Sequence, residues 1–322
     1  MSATPTTKAT SLPDRSTTPA PSPSSPSSSG TSPSATSRAS TGMPWRRRIA
    51  YNKVNFWWLF LVPFCIVWIY PFAWMVSSAF KSQREMLLGG ISLIPTQPTI
   101  DNFVRAWTVA RFGEYTMNTI TFSVTVVLIV LLVSSTSGYA LGRGRMPGKY
   151  ALVGLLVATM FIPHGYTIIP VYQLVQALGL SNGLLGAVLA AAGPAHVIQI
   201  MLFMGYFAGL PDELGEAARI DGAGYLRTFF SIYLPLSKPI MGTVALFNFI
   251  GAWNAFMVPL VFTLGRPDLR TLGVGMYGFF GADTTDWTGL AAGACISIVP
   301  IVIVFLLLQK TFVEGIAGAV KF

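Results

Sequence analysis

Residues 150–211 read YALVGLLVATMFIPHGYTIIPVYQLVQALGLSNGLLGAVLAAAGPAHVIQIMLFMGYFAGLP, without a single Lys, Arg, Asp or Glu. A soluble domain has about a quarter of its residues charged and cannot carry so long an uncharged run on its surface. One membrane-crossing helix needs about 20 apolar residues. This run is long enough for two. QALGLSNG at 176–183 supplies a polar, glycine-rich turn between them. The reading is a helix over 150–175 and a second over 184–206.

Working outward, four more apolar runs stand between charges: 56–79, 117–141 (within 115–142), 239–263 and 288–309. Backbone groups in lipid must bond within a helix or a closed barrel. None of these runs alternates polar with apolar residues as barrel strands do. The expected fold is an all-α polytopic membrane protein with six transmembrane helices. Pro63, Pro71, Pro163, Pro170, Pro194, Pro259 and Pro300 fall inside these spans and predict kinks.

Composition agrees. Of 322 residues 52% are apolar and 10% charged, and the mean hydropathy is +0.60. These values exclude an ordinary cytosolic enzyme. The net charge of +9 comes from 21 Lys and Arg against 12 acids. Six spans put both termini on one side. That side receives 15 of the basic residues and the opposite loops 6, and the excess marks the cytoplasm. No loop interleaves a basic stripe with stacking aromatics, so nucleic acid is not an expected partner. Cys65 and Cys295 both lie in apolar runs and read as two buried thiols, not a disulfide or metal framework.

Residues 1–50 read as a Ser/Thr/Pro-rich disordered cytoplasmic tail ahead of a transmembrane domain at 51–322. Apart from Met1, Leu12 is the only large apolar side chain among the first 41 residues, too little to offset ordering entropy. Met43, which opens MPWRRRIAYNK, is an alternative start.

Residues 210–239 read LPDELGEAARIDGAGYLRTFFSIYLPLSKP and hold Asp212, Glu213, Glu216 and Asp221. Pro211 and Asp212 suit a helix start, with the acids near the positive dipole end. Asp221-Gly222 reads as a helix end. A second short helix fits 225–233, with Asp221 placed to cap it. The result is an amphipathic helix-turn-helix between spans four and five. Its mixed charges differ from the Lys/Arg-rich face of a helix lying on lipid.

EAARIDGAG at 216–224, followed by Phe229, Ile232, Leu234, Pro235, Leu236 and Pro239, resembles the EAA signature of ATP-binding-cassette importer permeases. PFAWMVSSAFK at 71–81, PTIDNF at 98–103, MFIPHGYTIIPVYQLVQALGLSNG at 160–183, FIGAWNAFMVPL at 249–260 and the terminal QKTFVEGIAGAVKF extend the resemblance over roughly 50–322. They resemble the sugar-importer branch, to which the smaller membrane subunit of the maltose permease belongs. Family members often carry an acid or amide after the Trp-Asn pair, where this chain has Ala255. They commonly end in glycine, where it has Phe322.

The resemblance implies a multi-pass permease of a bacterial or archaeal cell membrane. It implies a second homologous permease, two ATPase subunits, an extracytoplasmic solute-binding protein and a sugar substrate. Glu216, Ala217, Ala218, Arg219, Asp221 and Gly222 would form the ATPase-coupling contact. No catalytic site, metal or cofactor is expected on this chain. ATP and Mg belong to the partners, since GRGRMPGK at 142–149 lacks the GxxxxGK[ST] order of a phosphate loop.

Polar side chains inside spans are costly and suggest function. Asn118, Asn248, Trp253 and Asn254 are the candidate substrate pathway, because a sugar needs amide partners and an aromatic platform. Helix-helix hydrogen bonding explains the asparagines equally well. His164 and His196 read as packing residues. The alternatives are the same importer class carrying a non-sugar solute such as glycerol phosphate or polyamine, and a secondary transporter. The latter predicts an internal repeat, which the sequence does not show.

Overall fold

The computed structural model describes residues 45–193, 196–281 and 284–319. The tail and the Met43 start lie outside them, except that the first helix already begins at Trp45.

Helix α1 (Trp45–Ser78) covers the first expected span up to its last residue and keeps both of its prolines inside. Short helices α2 (Gln83–Leu88) and α3 (Asp101–Thr108) follow. Helix α4 (Phe112–Arg143) is the second span, extended at the start by five residues and at the end by two. At about 1.5 Å per residue its 32 residues reach roughly 48 Å, beyond the ~30 Å hydrocarbon core.

The third span is not one helix. It divides into α5 (Lys149–Thr159) and α6 (His164–Ala177). Pro163, extended at ψ 126°, caps α6. Proline also disfavours the α region for the residue before it, which favours a break at this point. The fourth span bends by 55° between α7 (Leu184–Ala192) and α8 (Val197–Ala208). Helix α9 (Glu213–Ile220), α10 (Tyr225–Thr228), a π-turn at Phe229–Tyr233 and α11 (Leu234–Leu236) form the connecting segment. It meets α12 (Lys238–Trp253) at 76°. The fifth span also breaks, at 254–256, before α13 (Met257–Thr263). Helix α14 (Leu272–Met276) precedes α15 (Trp287–Ala319), which contains the sixth expected span.

The protein is thus an all-α, multi-helix membrane protein. Among the described residues, α1, α4 and α15 are long and apolar enough to cross a bilayer. Counting each bent pair as one span raises the number to five.

The core forms around α4. Phe122, Val126, Val130 and Tyr139 pack with Val188, Phe203, Phe207 and Val244 of α7, α8 and α12. Each is buried, and the burial of such side chains contributes about 1.5–3 kcal/mol apiece in water. In lipid that driving force largely vanishes and close packing takes its place. A second cluster joins Phe112 and Tyr115 at the start of α4 to Phe249, Trp253 and Leu272. Ala79, Ala106, Ala291 and Ala292 make a third.

Cys65 differs from expectation. It is exposed on α1, like the large apolar side chains of Trp57, Trp58, Phe64, Trp68 and Ile69 on the same helix. Cys295 is half-buried beside the alanine cluster, and both thiols are free.

Candidate functional site

The connecting segment is built on a tightly closed helix end. Asp221 N–H bonds Ala217 O at 3.0 Å, Gly222 N–H bonds Arg219 O at 3.0 Å, and Ala223 N–H reaches back to Ala218 O at 2.8 Å. The last two are the paired bonds of a Schellman cap. Gly222 stands at φ +74°, the left-handed region that the cap requires and that glycine enters without strain. Asp221 is the C-cap of α9. It does not cap α10, whose N-cap position is taken by Gly224 because the cap itself occupies the intervening residues.

Of the expected coupling residues, Ala218 is buried. Glu216, Ala217, Arg219, Asp221 and Gly222 are exposed. Ile220, Leu226 and Phe230 add an apolar surface to the same segment, at 86%, 67% and 52% exposure. Charges and large apolar side chains together are more than a solvated loop needs.

The second arm is anchored in the core. Tyr139 of α4 lies 4.7 Å from Tyr225, 5.0 Å from Phe229 and 5.0 Å from Tyr233, ring centre to ring centre. Leu234 N–H bonds Phe229 O five residues back. This wider turn directly precedes Pro235 and relieves the crowding that proline imposes on the helix behind it. The helical stretch expected over 225–233 therefore runs on to Leu236.

The first arm is held by a residue that the sequence reading counted only as a loop charge. Arg143, the last residue of α4, bonds the Asp212 carboxylate and the Leu210 carbonyl, and its guanidinium sits 5.3 Å over the Tyr233 ring. Asp212 stands at the start of α9 but makes no side-chain cap bond, because Arg143 engages it. Gly138 and Gly142, one GxxxG step apart, lead up to Arg143 and would have signalled a close helix contact. Between Arg143, Tyr139 and the two arms lies a polar cleft of about 360 Å³, lined also by Arg145, Glu216 and Arg219.

A second cavity, about 710 Å³, opens among α6, α7, α8, α12 and α13. Its wall is mostly small and apolar. Its polar lining is Thr167, His196, Gln199 and Asn248, with no charged residue. Gln199 Nε2 donates to Asn248 Oδ1 at 3.5 Å, the outer limit of a hydrogen bond, and Asn248 Nδ2 donates to Val244 O at 2.8 Å. His196 Nε2 is 3.3 Å from Ala191 O. The side chain of His164 lies outside the described residues.

Asn248 is the candidate pathway residue that lines this cavity. The other three are placed elsewhere. Trp253 is buried, stacked on Phe249 at 5.4 Å, and donates from Nε1 to Ser297 O at 3.0 Å. Asn254 is exposed at the end of α12 and bonds Ile250 O at 2.8 Å. Asn118 ties α4 to the loop before α14 by donating to Asp268 O at 2.8 Å and Arg270 O at 3.0 Å. In that loop Arg266 pairs with Asp268 and holds its carboxyl below the usual carboxylate range. Gln199 was missed by sequence reasoning, since a lone amide in an apolar run carries no periodic signal.

Comparison with known proteins covers the same helices. Residues 135–317 match the model of the binding-protein-dependent transport system inner membrane component family. The probable ABC transporter permease protein YurM of Bacillus subtilis is 36% identical over 265 residues, covering 82% of this chain and 87% of that protein. The diacetylchitobiose uptake system permease protein NgcG of Streptomyces coelicolor is 31% identical over 262 residues, covering 81% and 85%. A crystal structure of a bacterial ABC transporter involved in the import of the acidic polysaccharide alginate contains a chain that superposes with a TM-score of 0.72. The identity is 25%, over 84% of this chain and 100% of that one. The chain belongs to the family of binding-protein-dependent transport system inner membrane components, the non-catalytic permease subunits of ABC importers.

Proposed function

We propose that this permease carries a neutral mono- or oligosaccharide. It would work with a second permease, two ATPase subunits and an extracytoplasmic binding protein. The observation that carries the substrate class is the 710 Å³ cavity with amide, hydroxyl and imidazole groups and no charge. Hydroxyl-rich solutes exchange water for such partners. A phosphate ester or polyamine would find no counter-ion among these lining residues. The relatives named for oligosaccharide uptake support the same class.

Six crossings fit this reading: α1, α4, the α5–α6 pair, the α7–α8 pair, the α12–α13 pair and α15. Both termini would be cytoplasmic on the Lys/Arg asymmetry. The connecting segment then lies in the cytoplasm. Glu216, Arg219 and the exposed Ile220, Leu226 and Phe230 would enter the ATPase surface, with Gly222 shaping the knob. The permease holds two arrangements of its helices, and ATP binding on the partners selects between them.

The test is purification of the chain with its native partners, followed by uptake into proteoliposomes. The expected result is accumulation of a neutral sugar that requires ATP and the binding protein. Concentrative uptake by this chain alone, without ATP, would refute the assembly. Strict preference for a phosphate ester or polyamine would refute the substrate class.

A further inference from the structure

We infer that α4 is a strut linking the coupling segment on one side of the membrane to the 266–272 loop on the other, with Arg143 and Asn118 as its positioning residues. The inference rests on the importer reading above and concerns how that importer transmits motion.

At one end, Arg143 holds both arms of the segment. It bonds Leu210 O and Asp212 ahead of α9 and covers Tyr233 behind it. Its side chain is only 12% exposed, although the Asp212 carboxylate that it grips is 85% exposed. Four residues back, Tyr139 packs on Tyr225, Phe229 and Tyr233. The segment therefore cannot turn without carrying the end of α4.

Near its Arg143 end α4 is locked against α8. At Gly138 and Gly142 the backbone of α8 approaches so closely that an added Cβ would lie 2.9 Å from Met204 N and Met204 O respectively. Interfaces this tight shift as units and do not deform continuously.

At the far end, α4 holds the 266–272 loop by three hydrogen bonds. Asn118 Nδ2 donates to Asp268 O and Arg270 O, and Leu272 N–H donates to Thr119 Oγ1 at 2.8 Å. Both sets of contacts belong to one uninterrupted helix. A displacement delivered at Arg143 reaches the loop without crossing a joint.

The test uses the full complex in proteoliposomes, with a spin label at Ile220 and, separately, at Leu264, both exposed. In the unmutated complex ATP should change the mobility of both labels. Arg143→Ala and Arg143→Lys should keep the response at 220 and lose it at 264, because lysine retains the charge but not the two-pronged geometry. Asn118→Ala, which leaves the coupling side untouched, should produce the same split. In each variant the solute moved per ATP should fall at least about fivefold, the low end of measured couplings between sites. A merely structural role would lower assembly and leave that ratio unchanged. If Arg143→Ala does not assemble, Arg143→Lys and Asn118→Ala decide the matter. Normal responses at 264 with a normal ratio would overturn the strut. An unmutated complex without ATP-dependent uptake would overturn the importer reading and the strut with it.

Discussion

Gly138→Ala adds one carbon at the α4–α8 contact, and the structure fixes the sign of its effect. The new Cβ would meet Phe203 Cβ at 2.4 Å, Met204 N at 2.9 Å and Phe203 C at 3.0 Å. Restoring an ordinary 3.4 Å contact needs a shift of about 1 Å. The obstructing atoms are backbone and Cβ, so no side chain can rotate away and α8 itself must withdraw. Phe203 and Phe207, both fully buried, lose contacts when it does. Because backbone must move, the cost lies in the upper part of the range for overpacking, about 2–3 kcal/mol. Against it stands the gain from replacing glycine in a helix, about 1 kcal/mol. The net expectation is destabilisation of about 1–2 kcal/mol. At about 2–4 °C per kcal/mol for domains of this size, the apparent Tm falls by roughly 2–8 °C. Gly205→Ala on α8 is the control, since nothing lies within 4 Å of its added Cβ. It should match or exceed the wild type. The assay is size-exclusion fluorescence after heating in one detergent, at equal protein concentration. A Gly138→Ala protein as stable as Gly205→Ala would refute the close approach and the rigid α4–α8 unit with it.

Gly222→Ala is expected to cost about 1–2 kcal/mol through its φ of +74° alone, since the space around it is open. Local hydrogen exchange at 221–224 should rise while global stability stays nearly constant. Asn248→Leu should raise the apparent KM for the sugar at least about fivefold, as one lost polar partner in a mostly apolar cavity costs about 1–3 kcal/mol. Binding-protein-independent ATPase activity should be unchanged, and unaltered sugar uptake would sink the assignment of the cavity. In a chain freed of Cys65 and Cys295, Asn182→Cys and Gly265→Cys should react with an impermeant reagent added from outside. Reaction only from the cytoplasmic side would reject the six-crossing topology.

Charge-free runs located the helices well because lipid imposes one severe rule, that apolar length must match the bilayer. Helices α4 and α15 contain their expected spans, and α1 covers all but the last residue of its own, for that reason. The same rule is blind to breaks. Residues 160–163 and 254–256 interrupt helices inside runs that carry no charge, so the charge-free pattern passes over both. Pro163 marks one of them, yet Pro63, Pro71, Pro170 and Pro300 continue inside helices. A proline in a membrane span thus permits a break and does not dictate one. The helix end at Asp221-Gly222 was legible because a left-handed cap has a local residue signature.

The anchoring residues were not legible, and the reason is distance along the chain. Arg143 meets Asp212, 69 residues on, and Asn118 meets Arg270, 152 residues on. A basic residue at a membrane edge counts toward orientation whether or not it also grips a neighbour. Trp253 shows the converse. Its type and position suited a sugar platform, but a buried indole must satisfy its N–H, and Ser297 O on α15 does so. That bond turns the ring into the α12–α15 contact and leaves the cavity to the amides of Gln199 and Asn248. Side-chain chemistry therefore names candidates. Which of them lines the cavity was decided by the backbone acceptors that folding brought within reach.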